Sequence, residues 1–99
     1  MKSTRLTIAE TDKYKVDVEY NEFFAILHLP FIKQLNKETY KALVKKFQEL
    51  KDFFQEVGYD KLWVALEPEK TVLTKFISRL GFSFVADSGV YKVYNVELN

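Results

Sequence analysis

Lys61–Phe82 reads KLWVALEPEKTVLTKFISRLGF, and the reading of the whole chain turns on it. Leu62 to Leu66 is a short apolar run of buried-strand length, and Glu67-Pro68-Glu69 is a turn. Val72, Leu73, Phe76, Ile77 and Leu80 then recur at helical spacing as one apolar stripe. Pro68 suits the first helical turn, where its missing N–H costs nothing. Gly81 stands where a helix stops in left-handed backbone, and Phe82 opens the next strand.

Upstream, Asn36 is a good N-cap for the longest helix, placed at residues 37–57 and stopped by Gly58. Tyr40, Leu43, Val44, Phe47, Leu50, Phe54 and Val57 form its expected buried stripe. Lysines crowd its beginning and acids its end, opposed to the helix dipole. A charge-mixed helix surface of this kind reads as a solvated face.

Three strands precede this helix. Residues 5–9 place Leu6 and Ile8 on one side. Residues 13–20 alternate Tyr14, Val16, Val18 and Tyr20 against Lys13, Lys15, Asp17 and Glu19, a half-buried antiparallel strand with one wet face. Phe23 to Leu29, FFAILHL, is apolar on both faces and reads as a central strand ended by Pro30. A helix separates it from the 60–66 strand, so the two must run parallel. Residues 82–86 and 90–98 form a closing hairpin around Asp87-Ser88-Gly89. The result is one α+β domain over residues 1–99, with a mixed sheet and the order βββ-α-β-α-ββ.

Composition agrees with a single small core: 47% of residues are hydrophobic, including nine Phe and six Tyr. Cysteine is absent, which removes disulfides, thiol nucleophiles and Cys-based metal sites. One histidine with scattered carboxylates makes no metal-ligand spacing, so no metal is expected. A net charge of +1 gives no reason to expect a nucleic-acid partner. No apolar run approaches membrane-spanning length, and MKSTRLTIAE lacks an extended apolar signal region. A cytoplasmic setting is the expectation.

The strand, the helix ending in Arg79-Leu80-Gly81-Phe82 and the element order resemble the GNAT (N-acetyltransferase) superfamily, without its first strand and first two helices. The resemblance implies an acetyl-CoA site. The backbone around Leu27 and Leu29 would hold the pantetheine arm, and Lys33 and Gln34 would meet the pyrophosphate. His28, near the end of that strand, would lie where the acetyl group arrives and is the candidate general base; histidine is also the side-chain type that titrates near neutrality. The alternative for His28 is a core or rim residue with one satisfied nitrogen. The family's pyrophosphate loop carries Q/R-x-x-G-x-G/A, whereas PFIKQLN, residues 30–36, contains no glycine. The family's general-acid tyrosine falls at Ile77, and its helix-start asparagine at Lys70.

These departures favour a non-catalytic GNAT-like module with no cofactor, acting through protein–protein contacts. An acyl-CoA-dependent N-acetyltransferase with an atypical pyrophosphate loop is the alternative. Small degenerate domains of this look are similar to accessory and virion-associated proteins of tailed bacteriophages, which implies a host-cytoplasm or virion setting. Both helical crossovers should be right-handed, and if they advance across the sheet in one direction, as in the family, both helices land on one sheet face. With no residues left to cover the other face, a protein partner or a second copy is expected there. Trp63 reads as core, or as a partner anchor if its face is uncovered.

Overall fold

The elements follow as β1 (Thr4–Glu10), β2 (Tyr14–Tyr20), β3 (Ala25–Ile32), α1 (Lys37–Glu56), β4 (Lys61–Leu66), α2 (Thr71–Arg79), β5 (Ser83–Ser88) and β6 (Tyr91–Glu97). The computed structural model describes residues 2–33, 35–67 and 71–98, without the side chains of 71 and 72. Pro68, Lys70 and Gln34 lie outside these residues, and the expectation for the Val72 side chain is likewise outside what is described. The strands form one six-stranded sheet in the order β1-β2-β3-β4-β6-β5. β3 and β4 are parallel, as the intervening helix requires, and the other pairs are antiparallel.

Side-chain alternation places both helices on the same sheet face. Ala25, Leu27 and Leu29 of β3 and Leu62, Val64 and Leu66 of β4 are buried, while Ile26, His28, Trp63 and Ala65 are only half-buried. Leu43, Phe47 and Phe54 of α1 and Leu73, Phe76 and Ile77 of α2 join the same core. Edge-to-face ring contacts tie the helices together, Tyr40 to Phe76 at 5.3 Å and Phe47 to Phe76 at 5.5 Å between centroids.

Caps and turns work largely as the residue types dictate. Asn36 Oδ1 accepts the Thr39 N–H at 2.9 Å at the start of α1. Gly81 takes φ 95° just after α2, backbone that a side chain would resist. The β5–β6 hairpin differs from the expected three-residue loop: Ser88 faces Tyr91, leaving a two-residue turn of Gly89 and Val90. Gly89 at φ 62° permits it.

Four other expectations are corrected. The strand expected at 23–29 begins at Ala25, because Asn21 Oδ1 accepts the N–H groups of Phe23 and Phe24 and turns the chain there. That strand also continues through Pro30 to Ile32. Lys15 faces Phe31 and Asp17 faces His28, so Leu29 and Pro30 together oppose Val16 alone. This is a β-bulge, one of the places where a strand tolerates proline, and it moves the core-facing set from Leu29 to Ile32. Finally, Val57 is 55% exposed and does not complete the buried stripe of α1, and Trp63 is not part of the core.

Candidate functional site

The parting of β3 and β4 is the feature around which functional side chains gather. The two strands are in parallel register only from Ile26–Trp63 to His28–Ala65. Beyond that point β3 stays with β2 as far as Ile32, while β4 stays with β6 as far as Leu66. The bulge at Leu29 and Pro30 falls at the same level and bends β3 away. A cavity of about 220 Å³ opens there, lined by Arg5, His28, Leu29, Pro30, Ala65, Glu67 and Tyr91.

A polar network runs from the β1 edge to this cavity on the face away from the helices. Asp17, buried to 5% exposure, accepts from Thr7 Oγ1 at 2.8 Å and from Arg5 Nε at 3.0 Å. Burial is the largest single influence on its carboxyl and pushes it up. The hydrogen bonds from Thr7 and Arg5, with the charges of Lys15 and Arg5, outweigh burial and hold it below its ordinary value. The wet face expected for β2 is thus closed at Asp17 by β1.

One step further along β2, Glu19 accepts from Ser3 Oγ at 2.6 Å and stands 3.0 Å from His28 Nε2. The bond from Ser3, and after it the one to His28, lower the Glu19 carboxyl. His28 thus reaches Glu19 through Nε2 while its ring also lines the cavity. Tyr91 meets the imidazole edge-on at 6.5 Å between centroids. The middle of the same face is apolar, with Ile26, Trp63 and Ala65 half-buried on adjacent strands.

Of the residues singled out in the sequence, His28 and Leu29 line the cavity. Leu27 is laddered to Val18 on one side and Val64 on the other, its side chain fully buried. Lys33 lies on the exposed turn after β3, its ammonium 5.7 Å from the centre of the Phe31 ring. Sequence reasoning passed over Arg5, Thr7, Asp17, Glu19, Glu67 and Tyr91. The signal available for the first four was the alternation of β1 and β2, which places them on one face; nothing marked Glu67 or Tyr91, because their approach depends on the parted strands. Among the described residues no group of His, Asp and Glu is arranged to hold a metal ion, and no helix is long and apolar enough to cross a membrane.

The solved structures to which the fold is similar include two that match over most of this chain. One is a candidate acetyltransferase from Sphaerobacter thermophilus, with a TM-score of 0.57 and 10% identity over 89% of this chain. This chain spans 62% of that protein's length. The other is the anti-CRISPR protein AcrVA5, with a TM-score of 0.58 and 14% identity over 96% of this chain and 98% of that one. No protein-family profile and no curated protein matches the sequence. At these identities the likeness concerns the fold, a GNAT-like mixed sheet.

Acetyl-CoA is the cofactor that such a fold implies, and four features bear on whether these residues suit it. The turn into α1 has no glycine to let its backbone approach a pyrophosphate. The Thr39 N–H, one of the free donors of the first turn of α1, is already satisfied by Asn36. Pro30 has no N–H to offer where β3 and β4 part, and Ile77 is fully buried and apolar where the family's proton donor would stand. The residues present do not fit a backbone-wrapped pyrophosphate.

Proposed function

We propose that this chain is a non-catalytic, GNAT-like binding module that engages a protein partner through its open sheet face. The observation that carries this reading is the placement of Trp63. It is the single tryptophan of the chain and stands half-buried, opposite both helices, with Ile26 on the adjacent strand and Ala65 beside it on β4. No element among the described residues covers this apolar strip. A tryptophan in an apolar patch with a polar rim is the usual make-up of an interface centre. Here the rim is Arg5, Asp17, Glu19 and His28, fixed by their mutual hydrogen bonds. The like-sized neighbour AcrVA5, by its name directed against CRISPR, supports reading so small a domain as one that acts on a macromolecular target. A phage origin, with a host protein as the partner, belongs to the same proposal.

Affinity capture from the native host extract tests it. Wild type should retain a partner that Trp63→Ala loses while keeping its fold by circular dichroism. Retention of the same partner by Trp63→Ala places the contact elsewhere.

A second reading, an acyl-CoA-dependent N-acetyltransferase, draws on the Glu19–His28 pair at the lip of the cavity. A carboxylate that orients an imidazole is a common general-base arrangement. It is the weaker reading because of the poor match between the α1 entry and a pyrophosphate.

A further inference from the structure

The outer side of β1 is one edge of the sheet, and it borders an apolar groove of about 400 Å³ on the helix side. Leu6, Ile8 and Tyr20 form one wall of the groove, and Leu50, Phe53 and Val57 of the α1 end form the other. Leu6, Phe53 and Val57 are 49%, 57% and 55% exposed, three large apolar side chains from two elements gathered on one groove. A row of main-chain groups without a neighbouring strand therefore lies beside an uncovered apolar strip. Such an edge is a template for one more strand, and the groove sets what that strand must be. Alternate residues must be apolar towards α1 and polar towards the Arg5 and Thr7 side.

β1 itself has this pattern up to the bulge at Ile8, with Leu6 and Ile8 in the groove and Arg5 and Thr7 bonded to Asp17 on the other face. It is also polarised along its length, with Lys2 and Arg5 at its beginning and Glu10 and Asp12 at and just past its end. Antiparallel pairing with a copy of itself sets the basic beginning against the acidic end. Parallel pairing sets like charges side by side, and it also turns the second copy over so that its polar face meets the groove. Two like charges on paired strands repel, whereas opposite charges and apolar cross-strand pairs stabilise. The helix-side residues add Phe53 and Val57 from each copy to the same strip.

We infer that β1 is a self-association edge, pairing antiparallel with β1 of a second copy about a two-fold axis perpendicular to the sheet. The two six-stranded sheets become continuous, and the two grooves close over each other as one isologous contact. Both Trp63 faces then point the same way, doubling the open face. The inference stands on the edge and its groove and is independent of what the open face binds.

Sedimentation velocity on the full chain, from micromolar to near-millimolar concentration, tests it. The expected result is a concentration-dependent shift from 11.7 kDa towards twice that mass. Leu6→Lys and Phe53→Lys lie on different elements and are both at exposed positions, so a folding failure in one leaves the other to report. Each should weaken the dimer by roughly tenfold or more, as loss of a central apolar contact does. Glu10→Lys should weaken it as well, and Val85→Lys, on the opposite edge strand β5, should leave it unchanged. A monomer at every concentration overturns the inference. So does a dimer that survives Leu6→Lys and Phe53→Lys but is lost in Val85→Lys.

Discussion

His28 Nε2 and Glu19 Oε1 meet at 3.0 Å across the β2–β3 pair, and Ser3 holds the other oxygen of the same carboxylate at 2.6 Å. The sole histidine is thereby tied into a network that begins at the sheet edge rather than standing alone on an apolar strand. Thr7 and Arg5 hold Asp17 in the same way one step along β2. The network stiffens the polar rim around Ile26 and Trp63 and fixes the wall of the cavity where β3 and β4 part.

Acid should loosen this rim. The Asp17 and Glu19 carboxyls both lie below their ordinary values in the folded chain. Each therefore contributes stability that is complete above the unfolded carboxylate range, about pH 4, and is lost as pH falls through the lower folded values. Urea denaturation should show a midpoint that falls steeply below about pH 4. Asp17→Asn should lower neutral-pH stability by about 1–3 kcal/mol, the usual effect of weakening a buried hydrogen-bonded group, and should flatten part of the acid fall. An acid slope identical in Asp17→Asn and wild type would show that the carboxylate carries no such linkage.

The helix layer is held by aromatic packing. Phe47 and Phe76 are 0% and 1% exposed and touch edge to face. Truncating either to Ala should cost about 3–5 kcal/mol, and the double variant should fall short of the sum by about 0.5–1.5 kcal/mol. Lys45→Ala, on the exposed side of α1, should stay within about 0.5 kcal/mol of wild type. Additive effects of the two phenylalanines, measured by chemical denaturation, would contradict the direct ring contact.

Asn36→Ala should destabilise the chain by about 1 kcal/mol through loss of the cap on α1. Asn36→Asp should keep most of that stability, since its carboxylate accepts the same Thr39 N–H. Thermal midpoints of the two variants separate a capping role from a merely spatial one.

The element order and the sheet chemistry were legible in the sequence because local signals agreed with the final packing. The stripe from Leu73 to Leu80, the cap at Asn36 and the glycine at 81 each point to one structure. Pro30 misled because a strand tolerates proline at a bulge, and a bulge arises from pairing with β2, which no local pattern displays. Val57 misled because the helix stripe continues past the point where the sheet can cover it. The open face was read as apolar from β3 and β4 alone. Its polar half comes from β1 and β2, whose residues reach His28 only through cross-strand register. The apolar neighbours of Trp63 left core and partner anchor both open, and its register beside Ile26, on the side away from the helices, decides against the core.

The central claim is that this GNAT-like scaffold works without acyl-CoA, and calorimetric titration with acetyl-CoA and with CoA tests it most directly. The glycine-free entry to α1, the capped Thr39 N–H and the buried Ile77 predict no heat of binding at micromolar concentrations, and no change in the emission of Trp63. A saturable isotherm with a dissociation constant near ~10 µM, about −7 kcal/mol, would contradict the claim and make the Glu19–His28 pair the first site to assay for acetyl transfer.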